Sequence, residues 1–64
     1  MREAELWARM NRVLGDHYAP AWAELVVLSD LEGRTVAEAL RDGVACKAIW
    51  RAVAEKLELS ESER

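Results

Sequence analysis

Only two side chains in this sequence have the chemistry of a nucleophile or a proton shuttle near neutral pH, and each occurs once: His17 and Cys46. Cys46 stands where a helix is expected to begin, and exposed N–H groups at a helix start favour a thiolate, which is the setting of a reactive thiol. The plainer expectation is a small, half-buried residue opening a helix. His17 follows Gly15-Asp16 in a turn-like stretch, with no nucleophile or second ligand close in sequence, so a solvated turn residue is expected. A single Cys excludes an intramolecular disulfide, and no Cys/His cluster exists to hold a metal. With 64 residues there is little room for an enclosed pocket of the usual size. No catalytic residue, cofactor or metal is therefore expected, and the chain is not expected to be an enzyme.

A second kind of chemistry is phosphate binding, for which Arg41, Lys47 and Arg51 form the candidate patch. Nine Lys plus Arg stand against twelve Asp plus Glu, a formal charge of −3, so the overall balance disfavours nucleic acid. The halves differ: residues 1–32 carry three basic and six acidic side chains, and residues 33–64 carry six of each. Ala39, Gly43 and Ile49 have the spacing of a helix-turn-helix motif. That motif wants apolar residues before the Ala and the Gly, where Glu38 and Asp42 stand. The would-be reading helix is also poor in the Asn, Gln and Ser that read base edges.

The elements that must position these groups follow from periodicity and punctuation. Leu6, Trp7, Met10, Val13 and Leu14 share one face of a helix over Glu3 to Leu14, which Gly15 ends. A second helix is expected to start between Asp16, as its cap, and Pro20, which fits only near a first turn. Its inward face is expected to hold Tyr18, Ala21, Trp22, Leu25 and Leu28. The run Leu25 to Leu28 is read as helix rather than strand, because no partner strand occurs elsewhere. Thr35 and Glu38 have capping-box spacing ahead of a short helix Val36 to Asp42, and Gly43 stands where a left-handed C-terminal residue is wanted. Ile49, Val53 and Leu57 then mark a fourth helix from Cys46. The tail from Glu58 is expected to fray or to form one last capped turn.

The fold expected is all-α, a small bundle of three to four short helices with a capped helical hairpin in the C-terminal half. It forms one domain over residues 1–64, with 59–64 open to fraying. A chain this short buries only about 60% of the surface its unfolded form exposes, so an apolar content of 52% and the core residues Trp7, Trp22 and Trp50 must supply the stability. The opening Met1-Arg2-Glu3-Ala4-Glu5 alternates charge instead of leading into an apolar run, and no stretch approaches the roughly 18 residues of a membrane span. A cytoplasmic location and no membrane contact are expected.

Gly33-Arg34-Thr35-Val36 and Lys47-Ala48-Ile49-Trp50-Arg51-Ala52-Val53, with Leu6-Trp7-Ala8-Arg9-Met10, Tyr18, Trp22-Ala23 and Val27-Leu28, resemble the small actinobacterial family known as domain of unknown function 3046. The resemblance spans nearly the whole chain. It implies a helical cytoplasmic protein whose relatives are often encoded beside recombination genes, and it implies no activity. The family pattern places Arg-Asp-His after Trp-Ala, where this chain has Glu24, Leu25 and Val26. It also places an Asp before the fourth helix, where Ala45 stands, a loss expected to cost about 1 kcal/mol of capping, and a Cys at the position of Ala54. Greasier residues in place of a polar triplet point to a partner contact. The candidate protein-contact surface is therefore Leu25 and Val26, with Val27 at its margin. A protein-interaction or regulatory module is expected, with a homodimer as the simplest pairing. The alternative is a DNA-associated, helix-turn-helix-like protein linked to recombination or repair, contacting phosphate through Arg41, Lys47 and Arg51.

Overall fold

The computed structural model describes all 64 residues. Four helices, α1 (Glu3–Leu14), α2 (Ala19–Leu25), α3 (Val36–Arg41) and α4 (Cys46–Lys56), are joined by loops, with 3-10 turns at Ser29–Leu31 and Glu61–Glu63. The architecture is the all-α bundle that the periodicity predicts. Its core is one cluster to which every helix contributes: Leu6 and Met10 from α1, Trp22 from α2, Val36 and Ala39 from α3, and Ile49, Trp50 and Val53 from α4. Trp7 is half-buried against this cluster. Helix α4 packs against α1, α3 and the turn Ser29–Leu31, whereas α2 packs against α1 and α3. So much of α4 faces inward, including Ala52 and Ala54, that Lys47, Arg51 and Glu55 are left as a narrow exposed stripe at i, i+4, i+8, with exposed Lys56 beside its end.

The hairpin ends where its residues require. Glu38 N–H donates to Thr35 Oγ1 at 3.1 Å and Thr35 N–H donates to Glu38 Oε1 at 2.9 Å, closing the capping box. At the other end Gly43 adopts φ 80°. Its N–H donates to Leu40 O and the Val44 N–H to Ala39 O, the paired bonds of a Schellman motif. The same pair of bonds closes α4, from Glu58 N–H to Glu55 O and from Leu59 N–H to Ala54 O. There the left-handed position is held by Glu58, φ 54°, where glycine would be unstrained. The N-terminus of α4 has no side-chain cap, because Ala45 occupies the capping position.

Three expectations for the second helix are corrected. Asp16 does not cap α2: the capping position is Tyr18, which has no side-chain cap bond. The helix is also shorter and turned differently. Its buried face is Ala19, Trp22 and Ala23, with Val26 half-buried beyond them, and Tyr18 and Leu25 are exposed. Both stripes contain Trp22, but Ala19 and Ala23 are small enough to let α2 approach its neighbours closely, which fixes the rotation. Lastly, Leu28 is not helical. The β-branched pair Val26-Val27 favours an extended backbone, and Leu28 pairs with the single residue Arg34 in an isolated bridge. Leu28 N–H donates to Arg34 O and Gly33 N–H to Leu28 O, so a partner exists without a second strand, and Leu28 and Leu31 both reach the core.

The tail forms a turn clasped to the bundle. Trp50 Nε1 donates to the main-chain oxygen of Arg64 at 3.1 Å, and Arg9 donates to the same oxygen at 3.2 Å. Arg12 donates to Glu63 O, and Arg64 reaches Glu55 and Leu59 O. The Arg9 guanidinium lies 5.7 Å from the centre of the Trp50 ring, within cation–π range.

Candidate functional site

Gly15, at φ 88°, ends α1 and turns the chain back, and Asp16 to Tyr18 lead into α2. Pro20 sits in the first turn of α2, where a missing N–H breaks no helical bond. With Ala19, Trp22 and Ala23 inward, the opposite side of α2 carries Tyr18, Ala21 and Leu25 at i, i+3 and i+7, all exposed. Val26 N–H closes the helix by donating to Trp22 O at 3.0 Å, and the extended residue after it turns Val27 outward. Tyr18, Leu25 and Val27 are 57%, 77% and 54% exposed. Apolar side chains this open, on one helix face and the segment that follows it, form an unpartnered surface.

The predicted contact residues thus divide. Leu25 and Val27 are exposed, but Val26 is half-buried and packed on the core, which corrects its expected position well away from the interior. Tyr18 joins the exposed set, although it was expected in the core. A helical period alone missed it, since it assigns positions to a stripe without deciding which stripe faces in.

The charge of the segment that carries this surface is of one sign. No Lys or Arg occurs between Arg12 and Arg34, whereas Asp16, Glu24, Asp30 and Glu32 fall within that segment. Glu32 is paired with Arg34 at 3.4 Å, and Arg34 also binds Asp42 at 2.9 Å. These two hydrogen bonds, that to Asp42 above all, raise the already high pKa of Arg34. Asp16, Glu24 and Asp30 are exposed and form no ion pair. Beyond Leu28 lies an open groove of about 390 Å³, floored by Leu28 and Ala52 and walled by Asp30, Glu55, Glu58 and Lys56.

The phosphate candidates are arranged differently. Lys47 and Arg51 lie one turn apart on the exposed stripe of α4, and Arg41 lies in the last turn of α3. All three are exposed and none forms an ion pair. Glu38 and Asp42, the acidic residues at two apolar positions of a helix-turn-helix pattern, point to solvent and serve the capping box and the Arg34 pair. His17 is exposed in the turn before α2, and Cys46 is half-buried in the first turn of α4. No group of three or more His, Cys, Asp or Glu has a metal-binding arrangement.

A family model described as a protein of unknown function (DUF3046) matches residues 1–62. The chain belongs to that family. The match runs from before α1 into the tail turn, so the bundle and the α2 face lie within DUF3046, whereas the tail side of the clasp, Glu63 and Arg64, falls just outside the matched residues. No curated protein and no solved structure matches the chain. The family description carries no activity, so a function must be argued from the surface itself. No helix is long and apolar enough to cross a membrane.

Proposed function

We propose that this DUF3046 domain is a cytoplasmic protein-interaction module that regulates by binding, has no catalysis of its own, and meets its partner through Tyr18, Leu25 and Val27. The observation that carries the proposal is the exposure of Leu25 and Val27, two residues apart, on a scaffold whose other Leu, Ile and Val side chains are all buried or packed on the core. Those two side chains make the domain less soluble than polar ones would, which a contact surface explains. The absence of catalysis is argued from His17 and Cys46, which stand on separate elements in ordinary structural surroundings.

The DNA-associated alternative draws on Arg41, Lys47 and Arg51. It is the weaker proposal, because α4 is so deeply embedded that only a narrow stripe could approach a groove, and at the end of that stripe Glu55 offsets the charge of Lys56. Affinity pull-down of wild type and a Leu25→Ser/Val27→Ser double variant, each with and without nuclease, tests the two proposals. Proteins retained by wild type after nuclease and lost by the variant, at an unchanged urea midpoint, are expected. Loss of every retained protein on nuclease treatment would favour the alternative.

A further inference from the structure

The apolar face of α2 lies in a segment without a single Lys or Arg. Exposed, unpaired Asp16 precedes it, Glu24 adjoins Leu25, and Asp30 follows Val27. Asp30 also walls the groove over Leu28, where Glu58 adds a second carboxylate beside Lys56, and Glu55 is already paired with Arg64 at 3.1 Å. Given the interaction surface proposed above, on which this step rests, we infer that its occupant is a cationic amphipathic segment of another protein. Its apolar side chains cover Leu25, Val27 and Tyr18, and its Lys or Arg side chains meet Asp16, Glu24 and Asp30, with one entering the groove.

Charge complementarity decides among the occupants. In a two-fold contact between copies of this chain, each patch meets itself, so Glu24 beside Leu25 would be brought toward Glu24 of the second copy. Like charges facing each other across an interface oppose association. DNA and anionic membranes carry the same sign as Asp16, Glu24 and Asp30 and are repelled by them. A partner with apolar anchors and an acidic flank meets the same repulsion. A cationic amphipathic segment satisfies both the apolar stripe and its surroundings, and such segments dock by laying anchors at helical spacing against an apolar surface.

Isothermal titration of the intact protein with two synthetic helical peptides of one pattern, one of Leu and Lys and the other of Leu and Glu, tests this, with sedimentation equilibrium run alongside. The Leu/Lys peptide is expected to bind at least about tenfold more tightly than the Leu/Glu peptide, and to weaken severalfold between about 0.05 M and about 0.5 M NaCl. Leu25→Ser/Val27→Ser and, separately, Glu24→Lys/Asp30→Lys should each weaken it about tenfold while leaving the urea midpoint in place. Equal binding of both peptides, abolished by the serine variant, would overturn the cationic partner and leave the contact surface standing. So would self-association abolished by that variant. Leu/Lys binding indifferent to the serine variant would be charge attraction alone and would overturn both. Binding of neither peptide would overturn the cationic partner.

Discussion

Replacing Trp50 tests whether the tail is part of the folded unit. The indole is 4% exposed, its N–H donates to the Arg64 main-chain oxygen at 3.1 Å, and Arg9 lies over its ring. Trp50→Phe removes the hydrogen bond, worth about 0.5 to 1.5 kcal/mol. It also removes roughly 40 Å³ of side chain, which at about 24 cal/mol per Å³ of residual cavity adds about 1 kcal/mol. The Arg64 oxygen is not orphaned, because Arg9 still donates to it at 3.2 Å. The sum is about 2 kcal/mol, or about 8 to 16 °C in Tm for a domain this small. Trp50→Ala should cost about 3 to 5 kcal/mol, much of the roughly 3 to 10 kcal/mol total stability expected at this length. Urea melts followed by circular dichroism give the stabilities, and hydrogen exchange at the amides of Glu63 and Arg64 reports the clasp. In the Phe variant those amides should exchange faster than the global loss accounts for. An unchanged midpoint with unchanged tail exchange would refute the clasp and the burial of Trp50 together.

Ala45→Asp supplies the missing cap of α4 and places a carboxylate at its positive end, so it should raise stability by about 1 kcal/mol in urea. Glu58→Gly relieves the left-handed strain at the end of α4 and should add about 0.5 to 1 kcal/mol, whereas Gly43→Ala, whose new methyl meets nothing within 4 Å, should lose about 1 kcal/mol through backbone conformation alone. Val26→Glu puts a carboxylate against the core and should cost about 1 to 3 kcal/mol, while Leu25→Glu on the open face should stay within about 0.5 kcal/mol; equal melts would show that α2 is turned otherwise. Duplex DNA should bind no better than about 10⁻⁴ to 10⁻⁶ M at physiological salt, and sub-micromolar anisotropy titrations would revive the nucleic-acid alternative.

How much of this was readable in the sequence depended on whether one residue type carried the signal. Thr35, Glu38 and Gly43 each have one good backbone role at their spacing, and the hairpin appears with those roles filled. Ile49 and Val53 likewise set the inward face of α4. Helix α2 was misread because Ala carries almost no periodic signal: Tyr18 and Leu25 dominate the pattern, yet the close-packed Ala19 and Ala23 determine the rotation. The one-residue bridge of Leu28 to Arg34 has no sequence signature, since it needs only a main-chain partner. Nor does the clasp, whose acceptors are main-chain oxygens reached from Trp50, Arg9 and Arg12. For the candidate surface, the departure from the family's polar triplet pointed to Leu25, Val26 and Val27, but the misread rotation also set Leu25 inward, put Val26 outside and hid Tyr18.

The central claim is that the α2 face meets a protein, and site-specific photo-cross-linking in cells tests it most directly. A benzophenone side chain is placed at position 25 in one variant and at position 51, on the exposed stripe of α4, in another. The account predicts a discrete, nuclease-resistant protein adduct from position 25 and none from position 51. An adduct from position 51 that nuclease removes, with none from position 25, would contradict it.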